Sequence, residues 1–238
     1  MNPLRRRIQT AMQTRGGAAA FSPASIPGLK LWLDASQIVG LNDGDSVGTW
    51  SDTSGNANDA TQATVSAKPT YKTSIQNGLP VVRFDGVDDV MTVAAVSAQP
   101  MTFFLVGKTS STGRYFFDGV SGNRFVLGDG LNGPPNNMGI FAGSAIESSF
   151  TISGSSFNLW TGVANGVSSS LLKNGAAFAS GDVGSQGLSG GMTLGNRYSD
   201  PGYCLNGDLA ELIIYNTSLS IANRQLVEAY LRAKWATP

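Results

Sequence analysis

The segment VVRFDGVDDVMTV, residues 81–93, sets Asp85, Asp88 and Asp89 within five positions between two apolar runs. Carboxylates at that density can do three things. They can ligate a hard cation such as calcium, which takes six to eight oxygens. They can form an acid–base pair. Or they can accept the backbone N–H groups of a tight turn, with Gly86 relaxing the backbone. The turn ranks first, calcium second and catalysis a distant third, because no ligand pattern as specific as an EF-hand loop surrounds the three residues. Asp118, Asp129, Asn136 and Asn137 are the other oxygen-bearing residues that could join a calcium site from nearby loops.

Hydrolytic chemistry has little to draw on. A retaining glycosidase needs two carboxyls about 5 Å apart, which alternate residues of one strand can supply. The glutamates are Glu147, Glu211 and Glu228, and none has such a neighbour. Asp208 and Glu211, in GDLAEL, are three apart and fall on opposite faces of a regular strand. There is no histidine, so the usual acid–base group near neutral pH and the commonest zinc ligand are both missing. No nucleophile-elbow motif is present. Cys204 lies in an apolar-flanked stretch and reads as a buried, inert thiol. A non-enzymatic protein is expected, with no cofactor beyond that candidate calcium.

Two segments suit sugar recognition. STGRYFFDGVSGNR and GNRYSDPGYCLNG combine aromatic faces with amide and carboxylate groups, which gives Tyr115, Asn123, Asn196, Tyr198, Asp200 and Tyr203 as a candidate glycan patch. Surface loops have the same composition without any ligand, so the signal is compositional.

Net charge is zero but unevenly placed. Arg5, Arg6, Arg7, Arg15 and Lys30 precede the first acid, Asp34, and the remainder carries −5. Leu4, Ile8 and Met12 recur every four residues in LRRRIQTAMQTR, which predicts a short helix after Pro3 with arginines beside an apolar face. Arg5, Arg6, Arg7, Ile8, Met12, Arg15 and Phe21 are thus candidate docking residues. No aromatic interleaving accompanies the arginines and the body is acidic, so an acidic protein surface is expected as partner rather than nucleic acid. Gln, Thr and Arg interrupt any h-region in residues 1–21, and no run of about 20 apolar residues exists to span a membrane.

The elements that must position these groups are strands. Charged residues are 13% of the chain and glycines number 30, a composition that suits many turns and hydroxyl-bearing wet faces. LKLWLDA, LPVVRFDG, MTFFLVGKT, RYFFDG, FNLWTGVAN and GDLAELIIYN read as strands at the spacing of an antiparallel sandwich. Asn-Gly pairs at 77, 132, 165, 174 and 206 supply positive φ for hairpin turns, and residues 160–181 read as a meander. The period then changes. In LSIANRQLVEAYLRAKW, Leu226, Val227, Tyr230, Leu231 and Trp235 share a helical face, with Ser220 as N-cap. Residues 1–27 are read as a docking arm ending in an extended linker, and residues 28–238 as one domain.

LWLDAS followed by GDSVGTWSDTSGNANDATQ, then GLPVVRFDGVDDVMTV, then MTFFLVGKTS with a later LLKNGAAFASG, and finally LNGDLAELIIYNTSLSIANRQLVEAYLRAKW occur in that order. Together they resemble the laminin-G-like, pentraxin-like branch of the concanavalin A-like lectin/glucanase superfamily, over about residues 28–236. The resemblance implies an all-β jelly-roll sandwich of two antiparallel sheets with one C-terminal helix, to which this chain adds its extended N-terminal arm. It also implies that calcium at the rim is common among relatives. The superfold hosts many functions. With its arm, and without an export signal, this chain resembles virion accessory proteins of tailed phages, such as capsid decorations and fibres. That implies docking on capsid or tail protein, a virion location after synthesis in the host cytoplasm, a homo-oligomer, and contact with host-surface glycans. A carbohydrate-binding module of a bacterial surface or secreted protein is the alternative.

Overall fold

The computed structural model describes residues 21–94, 96–120, 122–131, 136–149, 156–198 and 201–238. Its strands, in chain order, are β1 (Leu29–Asp34), β2 (Thr49–Trp50), β3 (Ala60–Thr61), β4 (Thr70–Gln76), β5 (Leu79–Asp85), β6 (Met91–Val93), β7 (Met101–Thr109) and β8 (Tyr115–Gly119). They continue with β9 (Val126–Asp129), β10 (Asn137–Phe141), β11 (Ala145–Ser149), β12 (Asn158–Ala164), β13 (Ser169–Lys173), β14 (Ala176–Gly181), β15 (Met192–Leu194) and β16 (Asn206–Tyr215). One α-helix, α1 (Ile221–Trp235), follows.

The strands form the expected two antiparallel sheets. The first runs β14-β13-β12-β7-β16-β5-β4, with β1 also paired to β16. The second runs β11-β10-β9-β8-β15-β6-β3-β2. Strand β16 holds the first sheet together. Along one edge its first half pairs with β5, from Asn206↔Asp85 to Leu209↔Val82. Its second half pairs with β1, from Glu211↔Asp34 to Tyr215↔Leu29.

Burial follows from three layers. Phe103, Leu105, Phe117, Phe125, Trp160 and Leu212 fill the space between the sheets. Phe104, Val106, Ile213, Tyr215, Val227, Leu231 and Trp235 form a second core between the first sheet and α1. MTFFLVGKT therefore reads as a continuous apolar run rather than an alternation, because β7 is covered on both faces. The helix buries Val227, Leu231 and Trp235, spaced by four, while Leu226 stays 49% exposed. The expected five-residue stripe is thus narrower and rotated away from Leu226. Ser220 caps the helix as its sequence position predicts, its Oγ accepting from the Asn223 N–H at 3.2 Å.

A buried polar cluster pins α1 to the sheet. Glu211 is fully buried and its carboxylate accepts from Trp32 Nε1 at 2.6 Å, Trp235 Nε1 at 2.7 Å and Lys234 Nζ at 2.7 Å. Lys234 also bonds Asp34. Burial, with the charge of Asp34 adding, raises the Glu211 carboxyl, against the pull of Lys234 and Trp235.

Residues 21–27 were expected in an extended linker, yet they lie against the helix-bearing face. Ser22 caps a turn of 3-10 helix at Pro23–Ser25, the Tyr215 hydroxyl donates to the Pro23 carbonyl at 2.9 Å, and Ile26 is 5% exposed in the second core. Phe21 meets Tyr230 edge-on at 6.2 Å. The other docking candidates, Arg5, Arg6, Arg7, Ile8, Met12 and Arg15, lie outside the described residues, as does the helix expected there.

The hairpin signals mostly hold. Asn77–Gly78 and Asn174–Gly175 carry the positive φ of their turns, and β12, β13 and β14 form the meander. Asn206–Gly207 instead opens β16. There a side chain at 207 would overlap the Lys108 carbonyl, so this glycine serves close strand approach rather than a turn. The pair at 132 lies outside the described residues.

Candidate functional site

One end of the sandwich gathers most of the candidate residues. It is formed where β5, β7 and β15 end and where β8 and β16 begin. The Ser110 N–H donates to the Asn206 carbonyl at 2.7 Å, and the Arg114 guanidinium donates to the Gly202 carbonyl at 3.1 Å. Cys204 Sγ donates to the Val87 carbonyl at 3.0 Å. The Cys204 thiol is buried and its pKa is raised by that burial, in keeping with an inert group.

At this end the three aspartates form a tight cluster, with one ligand oxygen from each lying within 4.8 Å of the others. The arrangement is that of a turn. The Asp85 carboxylate accepts from the Val87 N–H at 2.8 Å and the Asp88 N–H at 3.4 Å. Asp89 Oδ2 accepts from the Asp85 N–H at 2.9 Å, and Gly86 takes φ +82°. Burial pushes the Asp89 carboxyl up to about 6 against that hydrogen bond, with the charges of Asp85 and Asp88 adding. Calcium needs six to eight oxygens, and two of the three carboxylates here already serve backbone N–H groups. The extra ligands envisaged from the sequence are committed elsewhere. Asp118 pairs with Arg124. Asp129 accepts from the N–H groups of Gly113, Asn136 and Asn137 at 2.7–2.8 Å. The residues fit a turn better than a calcium cage.

The outer face of the second sheet carries the tyrosines. Tyr115 is 4% exposed and its ring packs against Gly128, where any side chain would strike it. Tyr203 lies over Tyr115 with centroids 4.6 Å apart and planes 35° apart, and Arg197 sits 5.1 Å from the Tyr203 centroid. Tyr198 is exposed. Its N–H donates to Asp118 at 3.2 Å. Asp118 is fully buried, and the Arg124 guanidinium holds it through both Nε and Nη2, the latter at 2.8 Å. Burial raises the Asp118 carboxyl, and Arg124 opposes the shift. Arg124 also lies 6.0 Å from the Tyr115 centroid and 5.6 Å from that of Phe141.

Of the three tyrosines, Tyr115 is buried, Tyr203 is half-buried over its ring, and Tyr198 is exposed. Asn196 is turned inward, its carbonyl accepting from Thr193 Oγ1 at 2.9 Å and its side chain from the Arg197 N–H at 2.7 Å. Asn123 does not belong with the rest. It lies past the far end of β8, where it bonds Ser189 at 2.7 Å and the Gly187 N–H at 2.9 Å. A five-residue strand carries it roughly 15 Å from Tyr115. Asp200 lies outside the described residues.

Sequence reasoning missed the charged groups. A β-bulge in β16 between Leu209 and Glu211 puts Asp208 and Glu211 on the same outer face of the first sheet, which corrects the opposite-face expectation. Each is committed to its own partners, Asp208 to Arg83 and Lys108 and Glu211 to Lys234 and two indoles. The available signal was charge set inside three otherwise apolar strands, at Arg83, Lys108 and Asp208.

Neither protein families nor curated proteins match this sequence, but solved structures do. The fourth domain of the extracellular arabinanase AbnA from Geobacillus stearothermophilus, solved with arabinotriose, aligns with TM-score 0.60 and 18% identity, covering 83% of this chain and 97% of that domain. Trypanosoma rangeli sialidase, solved with sialic acid, aligns with TM-score 0.59 and 14% identity over 93% of this chain and 35% of its own. The binding domain of Paraclostridial Mosquitocidal Protein 1 aligns with TM-score 0.58 and 14% identity over 91% of this chain and 56% of its own. The chain thus spans about a third of the sialidase and about half of the mosquitocidal binding domain. At such identities the likeness carries the fold alone: this chain is a sandwich of two antiparallel β-sheets with a C-terminal helix.

Proposed function

We propose that this chain is a non-catalytic carbohydrate-binding sandwich of the laminin-G-like kind, which meets glycans at the tyrosine face of its second sheet. One observation carries the reading: Tyr203 is held over the buried Tyr115 ring beside the exposed Tyr198, whose backbone is tied to Asp118. Rings fixed in this way stack on sugar faces with little ordering cost. The arabinanase domain solved with arabinotriose supports the reading through its shared fold. Absence of catalysis is proposed because Asp208 and Glu211 are each held by cations rather than facing one another across a cleft.

The test is calorimetric titration with arabinotriose as first probe, followed by a glycan array. Wild-type protein binds at least one saccharide without hydrolysing it. Tyr203→Ala with Tyr198→Ala weakens that binding at least tenfold while leaving the fold intact. Failure to bind any glycan, or equal binding by the double variant, overturns the proposal.

A wider role as a virion accessory protein, docked on capsid or tail protein by residues preceding Phe21, is favoured by one further observation. Residues 21–27 pack on the helix-bearing face of the first sheet, whereas the tyrosines occupy the outer face of the second. Docking and display would then point in opposite directions. Deleting residues 1–20 would abolish incorporation into particles and leave glycan binding unchanged. Normal incorporation of the truncated protein would sink the docking role alone.

A further inference from the structure

A second polar site lies on the outer face of the first sheet, where β5, β7 and β16 run side by side. Arg83, Lys108 and Asp208 come from three adjacent strands and line a cleft of about 280 Å³ with Ser110 and Asn206. Asp208 is 1% exposed. Arg83 grips it with two bonds, Nε–Oδ1 at 2.6 Å and Nη2–Oδ2 at 2.9 Å. Lys108 Nζ stands 3.2 Å from the same Oδ2 and 5.2 Å from the centre of the Phe157 ring.

The charge count is uneven. Within the cleft one buried carboxylate faces two cations, and Asp43 and Asp85 lie on the Arg83 side. Asp208 engages Arg83 and Lys108 through three contacts, and the two side chains together carry more N–H donors than that. The planar guanidinium is already oriented by its bidentate bond, so a ligand would not have to order it. The side chains of Arg83 and Lys108 are 40% and 17% exposed, which leaves both cations within reach of solvent. Asp85 lies two residues along β5 from Arg83, at the lip, where its carboxylate accepts from the Val87 and Asp88 N–H groups and its charge offsets that of Arg83. Lys108, across β16 on β7, is farther from that acid, so the positive potential of the cleft is greatest on the Lys108 side. Stability alone would be served by one cation for one buried acid. A second cation in a polar hollow is the arrangement that receives an anionic oxygen group.

We propose that the Arg83–Lys108–Asp208 cleft is a binding site for the anionic substituent, carboxylate or sulfate ester, of an acidic saccharide. The hollow suits a single sugar residue better than an extended peptide, since it is small and Asn206 brings an amide side chain to its lining. The site is independent of the tyrosine face, which belongs to the other sheet, so either can fail without the other.

The test uses the full chain and NMR titration with glucuronic acid, glucose 6-sulfate, glucose, inorganic sulfate and a short oligoaspartate. The acidic sugars are expected to move the amide signals of Arg83, Lys108 and Asn206 and to bind at least tenfold more tightly than glucose, with affinity falling as salt rises. Lys108→Gln keeps the Arg83–Asp208 pair, so the variant folds, and it removes that preference while leaving arabinotriose binding at the tyrosine face as in the wild type. Equal binding of glucose and glucuronic acid overturns the proposal. So does an unchanged preference in Lys108→Gln. Inorganic sulfate or oligoaspartate binding as tightly as the acidic sugars would also overturn it, by showing an ion or peptide site.

Discussion

Removing the Arg124 guanidinium tests the tyrosine face most directly. Asp118 is fully buried and Arg124, with a side chain 24% exposed, is the cation bonded to it, with the Arg197 charge adding from farther away. Breaking a buried pair from one side costs about 3–5 kcal/mol, because the remaining charge is stranded. Arg124 is partly wet, so Arg124→Met should fall at the low end, about 3 kcal/mol. For a domain of this size that is a fall in Tm of roughly 6–12 °C. The sign with pH follows from Asp118, whose carboxyl burial already raises above its ordinary value. Without Arg124 it rises further. The neutral acid is tolerated, so the deficit is smallest in acid and grows as pH climbs through the raised value. Asp118→Asn keeps an acceptor for the Tyr198 N–H and removes the charge. The double variant should therefore recover most of the loss, giving a coupling of about 2 kcal/mol or more in a double-mutant cycle. The assay is urea denaturation of the four proteins at pH 4.5 and pH 8, paired with saccharide titration. Arabinotriose binding should weaken in Arg124→Met, because Tyr198 and Tyr115 both lean on the pair. A loss below about 1 kcal/mol, or a double variant no better than the single one, would refute the reasoning.

Three further outcomes are expected. Gly162→Ala should destabilise by about 1–3 kcal/mol in thermal melts, because a methyl group there overlaps the Phe103 ring, which is packed against Phe117 and Phe125; an unchanged melting temperature would show that the ring yields. Deleting residues 1–20 should leave stability unaltered, whereas deleting 1–27 should cost about 2–4 kcal/mol by uncovering the core around Ile26 and orphaning the Tyr215 hydroxyl; equal stability of the two truncations would place residues 21–27 outside the folding unit. Chelator should leave the melting temperature unmoved, since the Asp85 and Asp89 carboxylates are occupied by backbone N–H groups; a rise of several degrees on adding calcium would reinstate a metal role for this turn.

Much of the fold was legible because local signals agreed. Ser220 before an apolar run gave the helix start, Asn77–Gly78 and Asn174–Gly175 gave their hairpins, and Asp-Gly at 85–86 gave the turn. What could not be read was whatever depends on a partner strand. A one-residue bulge moves Glu211 to the face of Asp208, and no local pattern marks it. Leu226 and Val227 stand about 100° apart on a helical wheel, and either could border the apolar stripe until the sheet beneath chooses between them. Asn123 and Tyr115 are close in sequence, yet β8 runs between them. The Arg83, Lys108 and Asp208 charges only become one site when β16 brings β5 and β7 together.

The placement of β16 has a consequence for biogenesis. Trp32 and Glu211, whose side chains meet, are 179 positions apart in the chain, and three strands laid down earlier have β16 as a neighbour. A ribosome making this chain must emit everything up to residue 206 before that central strand begins. Until then β1, β5 and β7 carry open hydrogen-bonding edges in the nascent chain, and such long-range closure is slow. Premature termination anywhere before residue 206 yields not a smaller version of the domain but a set of unmatched edges, the form most prone to sticking to its neighbours.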